Sequence, residues 1–135
     1  MLSLAIKWGV PVLPGFCVTF DLEREYASQL QNFSVQIKQG YQKLVEKQDA
    51  RQVIVRSSVD LEDGENARFP GIFRSISGIS TLSHLYQSIR SCFDSVWSPP
   101  VKYYAQANVV EHRFRYFTAL IQKELKAQYA GLATT

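Results

Sequence analysis

Apolar residues recur at steps of three and four from Tyr26 through Leu30, Phe33, Ile37, Tyr41 and Leu44 to Val45, with Gln, Lys and Glu between them. That spacing predicts one amphipathic helix, with Asp21 ahead of it as the expected cap. Gly40 lies inside the run and costs about 1 kcal/mol relative to Ala in a helix interior, so the pattern also allows a break there. A second stripe, Leu82, Leu85, Tyr86, Ile89, Cys92, Phe93, Val96 and Trp97, predicts a helix that Thr81 starts and Pro99-Pro100 stops.

Between and around these helices the pattern changes period. Val53-Ile54-Val55 is a short β-branched run, predicting a buried strand that delivers Arg56-Ser57-Ser58 at its end. Ser75 to Ser80 reads as a strand or edge closing on Gly78, and Tyr116 to Leu125 alternates as a strand does. Pro11 and Pro14 bar the segment from Val10 to Thr19 from a central strand but suit an extended edge with a turn at Pro14-Gly15. Leu2, Leu4, Ala5 and Ile6 read as the last turns of a helix begun upstream of Met1 and closed by Gly9 in the left-handed conformation. Val101 to Ala107 suits a short helix, and Ala130 to Thr135 suits a turn and the start of a further strand.

A chain of 135 residues fits one domain and buries about two thirds of its unfolded surface. With 46% hydrophobic and 20% charged residues it has the composition of a folded globular protein. The net charge of +3 is spread along the chain, with Lys38, Lys43, Lys47, Arg51, Arg56 and Lys102 never forming a block, which argues against nucleic acid as a partner. No apolar stretch approaches the roughly 18 residues of a membrane span, and Met1 to Lys7 lacks the features of a signal peptide, so a cytoplasmic location is expected. Cys17 and Cys92 stand far apart without metal-ligand spacing and are expected to serve as small buried hydrophobes.

Chemistry concentrates between Val53 and Phe73. An arginine leaving a buried strand presents a planar fork of donors suited to phosphate oxygens, and a glycine nearby, Gly71, lets backbone amides approach the same anion. A structural ion pair of Arg56 with Asp60 or Glu62 explains the same residues, and both readings stand at this point. His84 and His112 have no thiol or carboxylate at recognisable spacing, and Ser57 and Ser58 have no base near in sequence to make either a nucleophile. Tyr103, Tyr104, Phe114, Tyr116 and Phe117 read as core, with some of them available to cover the contact with an absent half, and Asp60, Glu62 and Asp63 read as a solvated loop at least as well as catalytic acids.

Val55-Arg56-Ser57-Ser58-Val59-Asp60-Leu61-Glu62-Asp63 resembles the Val-Arg-Ser-Ser-Ala-x-x-Glu-Asp signature of the nucleotide-binding domain of the phosphoenolpyruvate synthase and pyruvate phosphate dikinase family. Gly9-Val10-Pro11-Val12-Leu13-Pro14-Gly15-Phe16 is similar to the family's Gly-Leu-Pro-Val-Pro-Pro-Gly-Phe segment, and Phe69-Pro70-Gly71 to its phosphate-covering Phe-Ala-Gly loop. The helix end through Asp94-Ser95-Val96-Trp97 resembles Ser-Leu-Trp. The segment Ala119-Leu120-Ile121-Gln122-Lys123-Glu124-Leu125 resembles a Val-Gln-x-Met-Val strand, and Ala130 to Thr135 resembles Ser-Gly-Val-Met-Phe-Thr. Each piece is short; their common order along the chain carries the likeness.

The resemblance implies an α+β fold, the first lobe of an ATP-grasp domain with a mixed or antiparallel sheet packed with helices, and it makes residues 1–135 a single partial domain. It implies ATP as cofactor, with Arg56 and Ser57 at the phosphates, the loop around Gly71 over them, and Gln122, Lys123, Glu124 and Leu125 lining the adenine pocket. In complete members a phosphoryl group passes from ATP to a histidine on a separate domain and then to pyruvate or another acceptor, and relatives of the same architecture phosphorylate rifampicin. The family's Gly-Gly-Lys segment would precede Met1, and its magnesium ligands are expected beyond Thr135, so the chain alone is expected to be inactive. Ile72, Phe73 and Arg74 replace the Gln and acid that usually follow the glycine loop. Three further readings remain beside a dikinase-like phosphotransferase fragment: a non-catalytic interaction or regulatory module whose apolar cleft is covered by a partner or a second copy, a rifampicin-phosphotransferase-like antibiotic kinase fragment, and an α/β domain with an unrelated ligand.

Overall fold

The computed structural model describes residues 2–60, 73–107 and 114–129. Their order is α1 (Leu2–Lys7), β1 (Gly15–Asp21), α2 (Tyr26–Lys47), β2 (Val53–Val59), β3 (Ser75–Ile79), α3 (Leu82–Asp94) with a 3₁₀ turn at Ser95–Trp97, α4 (Pro99–Ala107) and β4 (Tyr116–Lys123). The strands form a four-stranded sheet in the order β1-β4-β2-β3, with every neighbouring pair antiparallel. The fold is α+β, as expected, and β4, the last strand among the described residues, lies in the middle of the sheet between β1 and β2.

Alternation along each strand sorts side chains onto two faces, and residues paired across strands share a face. Phe16, Val18 and Phe20 of β1 pair with Ile121, Ala119 and Phe117 of β4, and on β4's other side Ile121 and Ala119 pair with Val55 and Ser57 of β2. Ile37 and Leu44 of α2 and Leu85, Ile89, Cys92 and Phe93 of α3 close this face into one buried core. Phe20 is its hub: its ring stacks on Tyr26 at 5.0 Å and meets Phe33, Phe93 and Phe117 at 5.6 to 6.1 Å. Aromatic pairs at such separations contribute about 0.5–1.5 kcal/mol each beyond their burial.

The long helix α2 runs unbroken through Gly40, because the ring of Phe16 lies against that position. A Cβ there would stand 2.8 Å from the ring, so the glycine allows the close approach of α2 to β1. Asp21 does not cap α2. It ends β1, and its carboxylate accepts from the Glu23 backbone N–H at 2.9 Å, shaping a turn that delays the helix until Tyr26. Gln29 reaches back across that turn, accepting from Asp21 N at 2.8 Å and donating to Asp21 O at 2.9 Å.

Thr81 caps α3 as predicted, its hydroxyl accepting from His84 N at 3.2 Å. Pro99-Pro100 does not stop that helix, which already ends at Asp94; the two prolines open α4, where the first turn needs no backbone donors. Gly9 closes α1 at φ 72°, with Val10 N donating to Ala5 O at 3.0 Å. Pro11 and Pro14 precede β1, which is an edge strand. The register between β2 and β3 shifts between Val53 and Val55, where β3 carries Gly78 at φ 73° inside the strand. Among the described residues no helix is long and apolar enough to cross a membrane.

Candidate functional site: the open face of the sheet

The strand carrying Arg56 extends to Val59, so Arg56 sits mid-strand and not at its end. Because consecutive residues of a strand point to opposite faces, Arg56 and Ser57 part company. Val53 and Val55 are buried beneath the helices, Ser57 follows them, and Arg56 and Ser58 stand exposed on the other face.

Cross-strand pairing lays out this second face in rows. Ile54 of β2 pairs with Gln122 of β4, which on its other side pairs with Gly15 of β1; Arg56 pairs with Leu120, and Leu120 with Cys17; Ser58 pairs with Thr118, and Thr118 with Thr19. Rows two residues apart along a strand are about 6.6 Å apart. At the first row the Gln122 side chain lies against the Gly15 backbone, where a Cβ would stand 2.8 Å from that side chain and 2.5 Å from Ile121 O. Gln122 is 6% exposed, and its Nε2 donates to Leu13 O at 3.4 Å.

Among the described residues the Arg56 guanidinium has no ion pair; the ion pairs there join Arg24 to Asp21 and Arg90 to Asp94. Asp60, one of the acids the sequence offers to Arg56, is used otherwise: its Oδ1 accepts from Tyr116 N at 2.5 Å and Arg115 N at 3.1 Å, fixing the start of β4 to the end of β2. Glu62 and Gly71 lie outside the described residues, as do Asp63 and His112.

The remaining residues singled out in the sequence have these places. Ser57 Oγ donates to Arg74 O at 2.5 Å and ties β2 to the start of β3 on the helix side. Lys123, the last residue of β4, donates from Nζ to Gln48 O at 2.6 Å. Glu124 follows the strand, and its Oε2 accepts from Gly78 N at 2.6 Å, satisfying the amide of the irregular β2–β3 register. Leu125 is 60% exposed beyond the strand end. Thus Arg56 and Gln122 share the open face, Lys123 and Glu124 hold neighbouring backbone, and Ser57 lies on the opposite side. Thr118, Leu120, Ile54 and Thr19 join Arg56 through register alone, which no local motif signals.

A separate groove of about 1120 Å³ opens on the helix side, lined by Tyr26, Phe73, Arg74, Tyr86, Arg90 and Ser95 among others. Its cations are engaged: Arg90 bonds Asp94 at 3.0 Å and lies 4.7 Å over the Tyr26 ring, while Arg74 Nη1 donates to Ser91 Oγ at 2.7 Å. Burial raises the Tyr26 phenol to about 12, and its hydroxyl has no hydrogen-bond partner among the described residues. Burial likewise raises the thiol of Cys92, which packs in the core as expected. Cys17 departs from that expectation: β1 gives its covered face to Phe16, Val18 and Phe20, so Cys17 lies exposed on the open one.

Magnesium is the metal that usually accompanies ATP phosphates, yet the described residues contain no group of three His, Cys, Asp or Glu side chains able to hold a metal ion. The described surface offers a guanidinium and hydroxyls to an anion and no cage for a cation.

Residues 27–135 match the model of the pyruvate phosphate dikinase AMP/ATP-binding domain. The chain is 28% identical over 175 aligned residues to the probable phosphoenolpyruvate synthase of Methanocaldococcus jannaschii, covering 98% of this chain and 15% of that protein. It is 26% identical over 135 residues to the probable phosphoenolpyruvate synthase of Pyrococcus abyssi, covering 98% of this chain and 16% of the relative. The phosphoenolpyruvate synthase of Pyrococcus furiosus is 26% identical over 102 residues, 74% of this chain and 12% of that protein. The chain therefore spans less than a fifth of the length of these relatives, and its sheet, its signature arginine and its matched residues place it in one family: it belongs to the pyruvate phosphate dikinase AMP/ATP-binding domains.

Proposed function

We propose that this chain supplies the phosphate-binding face of an ATP-dependent, dikinase-like phosphotransferase, with ATP lying on the open side of the sheet. The observation that carries the reading is Arg56, an exposed guanidinium without an ion-pair partner among the described residues, standing on a sheet face opposite the core. An exposed guanidinium free of a competing ion pair among the described residues is available to a polyphosphate, and charge-assisted hydrogen bonds to it contribute about 1.5–3 kcal/mol each. In this reading Gln122 and the segment through Leu125 meet the adenine, and the loop containing Gly71 lies toward the phosphates. Relatives named as probable phosphoenolpyruvate synthases support a part in such an enzyme, and in this reading the phosphoryl group passes from ATP through a histidine on another domain to pyruvate or a similar acceptor. The chain's own part in that sequence is binding and orientation, not turnover.

A titration followed by backbone amide NMR tests this. ATP is expected to shift the amides of Arg56, Ser58, Thr118 and Leu120 with a dissociation constant above about 1 mM, because one face supplies only part of the contacts. Arg56→Ala is expected to abolish those shifts without altering the melting curve. Shifts confined to the helix side, or equal shifts in the variant, would overturn the reading.

A second reading is favoured by one observation. Ile6 at 63%, Trp8 at 75% and Val10 at 50% exposure form an apolar segment around the end of α1. An interaction module covered there by a partner or a second copy accounts for them, and a stable dimer in light scattering with no response to ATP would support it over the first.

A further inference from the structure

The open face has a direction, and the nucleotide reading does not by itself use all of it. Along β4 the residues of this face run Gln122, Leu120, Thr118, a span of about 13 Å over four residues. At the Gln122 end the surface is formed by the half-buried Ile54 and Leu120 and by the Gln122 side chain against the Gly15 backbone. In the middle stands Arg56. At the far end Ser58, Thr118 and Thr19 form a row of three hydroxyls across β2, β4 and β1, with Thr118 Oγ1 and Thr19 Oγ1 3.0 Å apart in a mutual hydrogen bond. The Ser58 hydroxyl makes no hydrogen bond among the described residues, and a hydroxyl both donates and accepts, so the row can offer protons to an anion. One row further, Tyr116 pairs with Asp21, and Asp60 follows Val59; backbone donors hold both carboxylates, Arg24 is ion-paired with Asp21, and the Arg115 guanidinium lies 5.2 Å over the Tyr116 ring. An anionic chain lying along the sheet would meet Arg56 and then the hydroxyl row.

We propose that the Ser58–Thr118 hydroxyl pair, braced by Thr19, receives the distal phosphates of a nucleoside polyphosphate whose base lies toward Gln122. The inference rests on the nucleotide reading above and adds two contact residues and a preference: hydroxyls about 6.6 Å beyond Arg56 matter to a triphosphate and not to a monophosphate. The row also explains why Ser58, and not Ser57, is the serine of this strand on the arginine's face.

The test is a set of amide NMR titrations of the whole chain with ATP, AMP and inorganic tripolyphosphate, applied to wild type, Ser58→Ala, Thr118→Val, Thr118→Ser and Arg56→Ala. Ser58→Ala and Thr118→Val are expected to weaken ATP and tripolyphosphate about five- to tenfold each and AMP less than twofold, consistent with the loss of one hydrogen bond to a charged group. Thr118→Ser, which keeps the hydroxyl, is expected to stay within twofold of wild type. Equal weakening of ATP and AMP would overturn the assignment, as would unchanged ATP binding in both hydroxyl variants while Arg56→Ala still loses it; in the latter case the nucleotide reading survives alone. No ATP-dependent shift in wild type would remove both. Melting curves within 2 °C of wild type separate loss of contact from loss of fold, and should Thr118→Val melt lower, Ser58→Ala, which breaks no bond among the described residues, carries the decision.

Discussion

The two faces of the sheet are made from the same strands yet follow different rules. On the covered face each position is fixed by its neighbours: Phe20 touches four aromatic rings, and Val53, Val55, Phe117, Ala119 and Ile121 are fully buried beneath α2 and α3. Across the same backbone, Cys17, Thr19, Arg56 and Ser58 are exposed and lightly bonded. Close packing makes the first face the source of stability, and freedom from packing leaves the second available for chemistry. Substitutions on the two faces should therefore separate stability from binding.

The largest contrast is expected between Phe20→Ala and Leu120→Ala. The first removes the hub of the core and is expected to cost about 3–5 kcal/mol in urea unfolding, while the second, half-exposed on the open face, is expected to cost under about 1.5 kcal/mol. Similar losses would show that the open face is packed after all. Gly40→Ala should come next. Alanine gains about 1 kcal/mol of helix propensity, but its methyl meets the Phe16 ring, so a net loss of about 1–2 kcal/mol is expected. A net gain would mean that α2 rides further from β1.

Tyr26→Phe is expected to stabilise the chain by about 1 kcal/mol, since the hydroxyl it removes is buried without a partner among the described residues. The same residue gives a pH signature. Its folded value of about 12 lies above the ordinary tyrosine value of 10, so the neutral phenol is the form that folding favours. Its contribution to stability is complete below pH 10 and is lost as pH rises toward 12, a loss that the phenylalanine variant should lack in alkaline unfolding curves. The smallest effect belongs to Arg56→Ala, expected within about 0.5 kcal/mol of wild type by unfolding. A thiol assay sharpens the contrast: Cys17, exposed although burial raises its thiol, should react with a disulfide reagent in the folded protein, and Cys92 only on unfolding.

Elements whose signals are local were legible in the sequence. The stripes of α2 and α3, the cap at Thr81 and the closure at Gly9 rest on residues a few positions apart. What escaped was set by distant partners or by competition between nearby ones. Asp21 had the chemistry of a cap, yet the turn through Glu23 claimed its carboxylate. Pro99-Pro100 carries no mark telling whether a helix ends or begins there. Ending the central strand at Val55 made Arg56, Ser57 and Ser58 look like one cluster, whereas continued strand geometry divides them between two faces. The hydroxyl row depends on β4 lying between β1 and β2, and no pattern within any one strand states that order. The family signature found the arginine, and the register identified the company it keeps.

The central position of β4 bears on how the chain is made. During synthesis β1 and β2 emerge first, each with a backbone edge that residues 116–123 fill in the folded sheet. Until the ribosome releases that segment, two hydrogen-bonding edges stand open to other chains, a state prone to aggregation. Nascent lengths ending near residue 107 should bind chaperones and resist folding, and productive folding should switch on within the few codons that bring β4 out of the exit tunnel.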